Sequence, residues 1–200
     1  MLRLGLTGGI ASGKSWAANQ LRELGFHILD ADLTGHQLIE PGASAYEDVV
    51  GEFGKEILSE DKSVDRKKLG AIVFADPKKL AMLNSILHPC IEEVMNKQFK
   101  AWRAQGVTDP VFVEAALLVE AGMHKRLDGL VVVYCTLQNQ IERLVARGLS
   151  EVEARGRIAL QLPTEEKLKF ATYKIDTSYT MQYTQEQIAA LAEKLRVKPA

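Results

Sequence analysis

Residues Gly8-Gly9-Ile10-Ala11-Ser12-Gly13-Lys14-Ser15 satisfy the pattern G-x-x-x-x-G-K-[ST] at every fixed position. The apolar stretch Leu2 to Leu6 precedes them. A helical pattern follows, with Ala17, Leu21 and Leu24 on one face and Gly25 as its stop. No other feature of the chain limits its fold so tightly. A strand-to-helix turn of this kind must aim several backbone N–H groups into one concavity, through angles that glycine adopts without strain. The helix adds the positive end of its dipole, so the concavity suits a phosphate. Lys14 brings a point charge for the β- and γ-phosphates of a nucleotide, and the Ser15 hydroxyl suits a ligand of Mg²⁺. A chance match would occur in roughly one chain of this length in a hundred. The strand before it and the helix after it supply the context that the motif requires.

After Gly25, Phe26 to Leu29 reads as a second strand that ends in Asp30-Ala31-Asp32. Helical patterns then cover Leu33 to Ile39, Ala45 to Phe53 and Asp65 to Phe74, the first two closed by Pro41-Gly42 and Gly54. Asp76-Pro77 starts another helix, which runs to about Ala104 with a kink or break expected at Pro89, beside His88. Apolar runs resume at Val111 to Leu118 and Gly129 to Cys135, as expected of parallel strands covered on both faces. Thr136 caps a helix over Leu137 to Arg147, and Ser150 with Glu153 forms a capping box for the next. Lys174 to Asp176 reads as a last strand, and Thr184 with Gln187 as the opening of a C-terminal helix. Strands alternating with helices imply a parallel α/β sandwich, with a helical insertion over roughly residues 41–105.

Composition removes several function classes. A chain of 200 residues buries enough surface to need no disulfide or structural metal. Its formal net charge of -1 marks it as a binder of neither nucleic acid nor anionic membrane. The apolar runs are far shorter than the ~20 residues of a membrane span. Cys90 and Cys135 have no metal-ligand spacing, which suits reduced packing residues in a cytoplasmic protein.

A phosphate loop serves kinases, GTPases and motor ATPases alike. The guanine-reading N-K-x-D is absent, since Asn96-Lys97-Gln98-Phe99 lacks the carboxylate, while Asp32-Leu33-Thr34-Gly35 fits the undemanding D-x-x-G. Val111-Phe112-Val113-Glu114 is a loose version of the acidic strand end that serves Mg²⁺ in motor ATPases and fits a kinase as well. Charge layout favours a kinase. Asp30 and Asp32 fall at the carboxyl edge of the sheet, where a carboxylate can accept a hydroxyl proton or hold water on Mg²⁺; one of them can instead cap the next helix. Arg143 and Arg147, followed by Arg155 and Arg157, form the cation cluster that a phosphate-clamping lid needs, or else a solvated face paired with Glu142 and Glu151. The open readings are a kinase for one of several hydroxyl acceptors and a regulatory nucleotide switch. The lysine, the aspartates and the arginines speak against the switch.

Taken together, the motifs resemble those of the dephospho-coenzyme A kinase family. They are Thr7 to Ser15, Asp30-Ala31-Asp32, Phe53-Gly54-Lys55-Glu56-Ile57-Leu58, Asp65-Arg66, Val73-Phe74-Ala75-Asp76 and Leu87-His88-Pro89. Leu117-Leu118-Val119-Glu120, Arg143, Arg147, Leu149-Ser150, Glu153-Ala154, Arg157 and Gln161-Leu162-Pro163 continue the likeness to about residue 176. The resemblance implies a three-layer α/β P-loop fold with a five-stranded parallel sheet flanked by helices. Residues 1–40, 106–136 and 165–200 would form the nucleotide core, 41–105 a helical acceptor-binding region and 137–164 a lid. It also implies ATP and Mg²⁺ as cofactors, dephospho-coenzyme A as the small-molecule partner, and a monomer or weak homo-oligomer.

On that resemblance Lys14, Asp32 and Arg143 are the catalytic candidates. Gly8, Gly9, Ala11, Ser12, Gly13, Lys14, Ser15, Trp16, Arg147 and Arg157 would bind the nucleotide. Asp32, His88 and Glu114 would meet the acceptor, with His88-Pro89 either shaping its pocket or only kinking a helix. Ser15 would bind Mg²⁺ directly, and Asp32 or Glu114 through water. This chain also departs from the family pattern. Ala11 replaces a glycine, which requires a negative φ there, and Trp16 replaces a threonine, its indole packing on the nucleotide or into the core. Glu114 stands for an aspartate, Ala115-Ala116 for an apolar-proline pair, Val119 for a phenylalanine and Thr177 for an asparagine.

Overall fold

The computed structural model describes residues 1–196; positions 197–200 of the core region expected over 165–200 lie outside the described residues. The chain divides into two compact units, one built from residues 1–30 and 107 onward, the other from residues 31–106.

The first unit holds five parallel strands: β1 (Arg3–Thr7), β2 (Ile28–Asp30), β3 (Val111–Glu114), β4 (Gly129–Tyr134) and β5 (Tyr173–Asp176). Their order is β2-β3-β1-β4-β5. The chain therefore fills one side of β1 before the other, so the strand order reverses beside β1. In open parallel sheets the ligand crevice lies outside the carboxyl ends of the strands at that reversal. One face of the sheet is covered by α1 (Lys14–Glu23) and α9 (Met181–Arg196). Ala17, Ala18 and Leu21 from α1 and Ile188, Leu191 and Ala192 from α9 close over Leu4, Leu6, Phe112, Val131, Val133 and Ile175. Phe26 meets Phe112 edge to face in the same core. On the opposite face Gly5 leaves room for Leu118, Leu127 and Leu130, where a Cβ would stand 2.6 Å from Leu130 Cδ1.

The helices α6 (Leu137–Val145), α7 (Glu151–Ala159) and α8 (Thr164–Leu168) complete this unit. Thr136 caps α6 by accepting from Asn139 N, and Ser150 and Glu153 make the expected reciprocal capping box on α7. The sequence reading missed α8. It is anchored by Lys167, 1% exposed, which donates to the carbonyl of Ala116 and pairs with Glu120 at 2.8 Å.

The second unit is helical: α2 (Ala31–Gln37), α3 (Tyr46–Phe53), α4 (Arg66–Ala75) and α5 (Pro77–Ala104). Asp76 accepts from the backbone N–H of Lys78, the cap its sequence predicts, and Asp65, expected as the first residue of its helix, instead caps it by accepting from the N–H groups of Lys67 and Lys68. The expected helical region 41–105 lies within this unit.

Four local expectations are corrected. β3 stops at Glu114 instead of continuing to Leu118, because the chain turns from 116 onward; Ala115 and Leu118 are buried there, and burial alone does not demand a strand. Asp32 is not at the end of a strand but in the first turn of α2, two residues beyond Asp30 at the end of β2. Of the kink or break expected at Pro89, the break is excluded, since α5 is continuous across it; the local cost is the N–H that proline cannot offer to the carbonyl of Ser85. The C-terminal helix opens at Met181 with Thr180 accepting from Tyr183 N. Thr184 is 3% exposed, and its hydroxyl lies 3.3 Å from the carbonyl of Asp176.

Candidate active site

The phosphate loop leaves β1 at Thr7 and enters α1 at Lys14. Gly13 takes a φ of 89° at the helix cap, which lets the chain turn while its N–H groups face one concavity. Gly8 has no room for a side chain, since a Cβ would sit 2.3 Å from the carbonyl oxygen of Val133 and 2.5 Å from Ser12 Oγ. Gly8→Ala is therefore expected to cost about 2 kcal/mol and lower Tm by roughly 4–8 °C. Thermal unfolding checks this, and an unchanged Tm would mean that the loop has slack. Ser12 is 2% exposed, and its hydroxyl is buried with no hydrogen-bond partner. Such a donor ordinarily has a partner, and a phosphate oxygen in the cradle would supply one.

Ala11 overturns the expectation of a negative φ: its φ is 58°. A left-handed alanine costs roughly 1–2 kcal/mol, so the surroundings must impose it. Its carbonyl accepts from Arg143 Nη1 at 3.1 Å. Its methyl joins a small apolar cluster with Leu144 of α6 and Ala154 of α7, bordered by Ile10, Leu149 and Ile158. Arg143 also reaches Thr177, with Nη1 3.1 Å from Oγ1 and Nη2 2.6 Å from the carbonyl oxygen. The Thr177 hydroxyl donates in turn to the Ser12 carbonyl at 2.6 Å. At the neighbouring residue, Gln140 Nε2 donates to the Ile10 carbonyl, and Gln161 Oε1 accepts from Ile10 N, both at 2.7 Å. Helix α6 is thus bonded to the loop through Arg143 and Gln140, α7 packs on it through an apolar seam, and Gln161, just past α7, adds a further hydrogen bond. Cys135 lies beneath, 3.9 Å from the Ala11 carbonyl, and burial pushes its thiol up although Arg143 and Thr177 pull the other way.

Lys14 and Glu114 come together at 2.8 Å. Register explains why: Glu114 ends β3 directly opposite Leu6 of β1, so its carboxylate reaches the edge where the loop begins. The other oxygen of Glu114 takes Arg22 at 3.1 Å, from the last turn of α1. Glu114 is almost fully buried, and the two cations balance it.

A cavity of about 200 Å³ opens beside the loop, lined by Ala11, Gly13, Trp16, Arg143, Arg147, Thr177 and Tyr179 among others. Trp16 packs against the sheet core and also lines this cavity. Ser15 is exposed in the first turn of α1. Arg157 is exposed on α7 outside the cavity lining, and Arg155 is held in a surface pair with Glu151 at 2.8 Å. Asp32 and His88 belong to the second unit, Asp32 exposed on α2 and His88 half-buried on α5 ahead of Pro89. Among the described residues no three His, Cys, Asp or Glu side chains converge as a metal cage.

Sequence reasoning missed Gln140 and Arg22 and gave no role to Gln161 or Thr177. Gln161 stands in a family motif, Gln161-Leu162-Pro163, which was a signal toward it. Arg22 on an exposed helical turn gave none.

The comparisons agree with one another. The family model described as CoaE, dephospho-CoA kinase, matches residues 2–182. A dephospho-CoA kinase of Carboxydothermus hydrogenoformans is 45% identical over 98% of this chain and 95% of its own. A Thermus thermophilus protein of known crystal structure superposes with a TM-score of 0.82 at 31% identity, covering 96% of this chain and 97% of that one. The dephospho-CoA kinase of Campylobacter jejuni superposes at 0.69 with 27% identity, covering 96% of each chain.

Proposed function

The chain belongs to the dephospho-CoA kinase family, and on that footing we propose that it transfers the γ-phosphoryl group of ATP to the ribose 3′-hydroxyl of dephospho-coenzyme A. The products are coenzyme A and ADP. The observation that carries this reading at the site is the phosphate cradle itself. Glycines without room for a side chain, an orphaned Ser12 hydroxyl and the cations Lys14 and Arg143 gather at the carboxyl end of β1.

Phosphoryl transfer asks a protein for alignment and for charge that faces the transferring group. Lys14 supplies that charge from the loop. Arg143 supplies it from α6 while its fork holds the Ala11 and Thr177 carbonyls. The cavity lined by Trp16, Tyr179 and Arg147 is the place for the nucleoside, with apolar walls for a base and a cation beside the phosphates. Mg²⁺, when bound, offsets charge on the β- and γ-oxygens, and Ser15 would hold it. Asp32 would orient the attacking hydroxyl, and Asp32 or Glu114 would hold the ion's water. Arg157 would assist at the phosphates, and His88 would shape the acceptor pocket. No described helix is long and apolar enough to cross a membrane, and a cytoplasmic location suits a soluble acceptor.

The test is ADP release from Mg-ATP with and without dephospho-coenzyme A. Strong stimulation by the acceptor is expected. ATP binding without stimulation would leave the phosphate loop standing and remove this acceptor.

A further inference from the structure

Lys14 and Arg22 stand at opposite ends of α1, eight residues or about 12 Å apart along the axis, yet both reach one carboxylate. Lys14 Nζ lies 2.8 Å from Glu114 Oε1 and Arg22 Nη2 lies 3.1 Å from Oε2. The Glu114 side chain is 3% exposed, whereas that of Arg22 is 39% exposed. An aspartate at this position would withdraw the carboxylate by about one bond length, ~1.5 Å, and could not serve both partners at these distances. The glutamate and Arg22 are thus matched.

The arrangement poses a problem for Lys14. Its place in nucleotide binding, on the reading above, is at the phosphates, yet its ammonium rests on a buried carboxylate. If Lys14 were the only partner, moving it would strand a charge away from water, which is strongly unfavourable. Arg22 removes that obstacle, because its guanidinium remains on Glu114 whichever way Lys14 turns. The last-turn position also suits a cation, since the carboxyl end of a helix dipole favours positive charge. Arg22 further donates to Asn19 Oδ1 at 2.8 Å, which fixes the guanidinium from its own helix.

We propose that Arg22 is a positioning residue for phosphoryl transfer: it neutralises buried Glu114 so that Lys14 can be surrendered to the nucleotide phosphates. It touches no substrate and acts through Glu114 alone. Without Arg22, Glu114 holds Lys14 more tightly and competes with the phosphates for it. Arg22 therefore governs nucleotide affinity.

The inference rests on Lys14 meeting the phosphates, so its test includes a binding measurement that needs no turnover. Mg-ATP affinity by calorimetry and kinetic constants with dephospho-coenzyme A are compared for the parent, Arg22→Met, Arg22→Lys, Glu114→Gln and the double variant Arg22→Met with Glu114→Gln. Arg22→Met is expected to weaken Mg-ATP binding and raise the ATP KM about tenfold, with kcat changed less than about twofold. Arg22→Lys is expected to recover most of the loss. Adding Arg22→Met to Glu114→Gln is expected to change affinity less than about twofold, because no carboxylate remains to be neutralised. A tenfold loss that persists in the Glu114→Gln background would overturn the proposal, as would an unchanged affinity in Arg22→Met. If Arg22→Met does not fold, Arg22→Lys and the double variant still decide the matter. Loss of acceptor-stimulated ADP release in the parent, with Mg-ATP binding intact, would count against the acceptor and leave the calorimetric arm to decide Arg22.

Discussion

Lys14→Ala is expected to abolish acceptor-dependent ADP release, reducing turnover by at least about 10³-fold. The magnitude follows from what the transfer demands. Charge spreads over the oxygens of the transferring group in a site closed to water, and a preorganised cation there is worth far more than the same charge in solution. Lys14 is 13% exposed, so solvent does little to substitute for it. The substitution also leaves Glu114 paired with Arg22, so the protein is expected to fold. Measuring kcat/KM beside Tm separates lost chemistry from lost structure. Turnover within a few-fold of the parent would remove Lys14 from the mechanism.

Arg143→Met is expected to lower kcat by roughly 10²–10³-fold, and to do so by two routes that a second variant resolves. The guanidinium supplies charge near the cradle, and its fork ties α6 to the loop through the Ala11 carbonyl and to the β5 end through Thr177. Ala11 sits in a strained backbone conformation that this bond helps to impose. Arg143→Lys keeps the charge and loses the fork, since one ammonium cannot reproduce two rigid, separated donors. Lysine is therefore expected to restore less than about tenfold of the lost rate. Full recovery would reduce Arg143 to a simple point charge. A rate for Arg143→Met within about fivefold of the parent would sink its catalytic role.

The parts of the molecule that were legible in the sequence are those fixed by neighbours along the chain. The strand, Gly-rich turn and helix of residues 3–23, the Asp76 cap and the Ser150–Glu153 box each need only a few consecutive residues to specify them. Periodicity failed where burial and strand conformation part company, at residues 115–118, and where a threonine with cap-like spacing, Thr184, proved to be packed inside a helix. The site divides in the same way. Lys14 and Arg143 could be named from motifs, but their partners could not. Glu114 meets Lys14 across 100 residues, Arg143 meets Ala11 across 132, and Gln161 meets Ile10 across 151. Those meetings depend on strand order and register, which a pattern of residue types does not contain. The left-handed Ala11 is the sharpest instance, because a neighbour's bond and a methyl seam from two other helices hold it there.

The strand order has a bearing on how the chain is made. β1 pairs with β3 and β4, and β2 with β3, so the first 110 residues to leave a ribosome contain no two strands that pair with each other. The nascent Gly-rich turn emerges early but is not fully tied until Gln140, Arg143, Gln161 and Thr177 arrive. Long-range pairing of this sort slows folding and prolongs exposure of unpaired apolar strands. The anion cradle, first in the sequence, is accordingly among the last parts of the molecule to be finished.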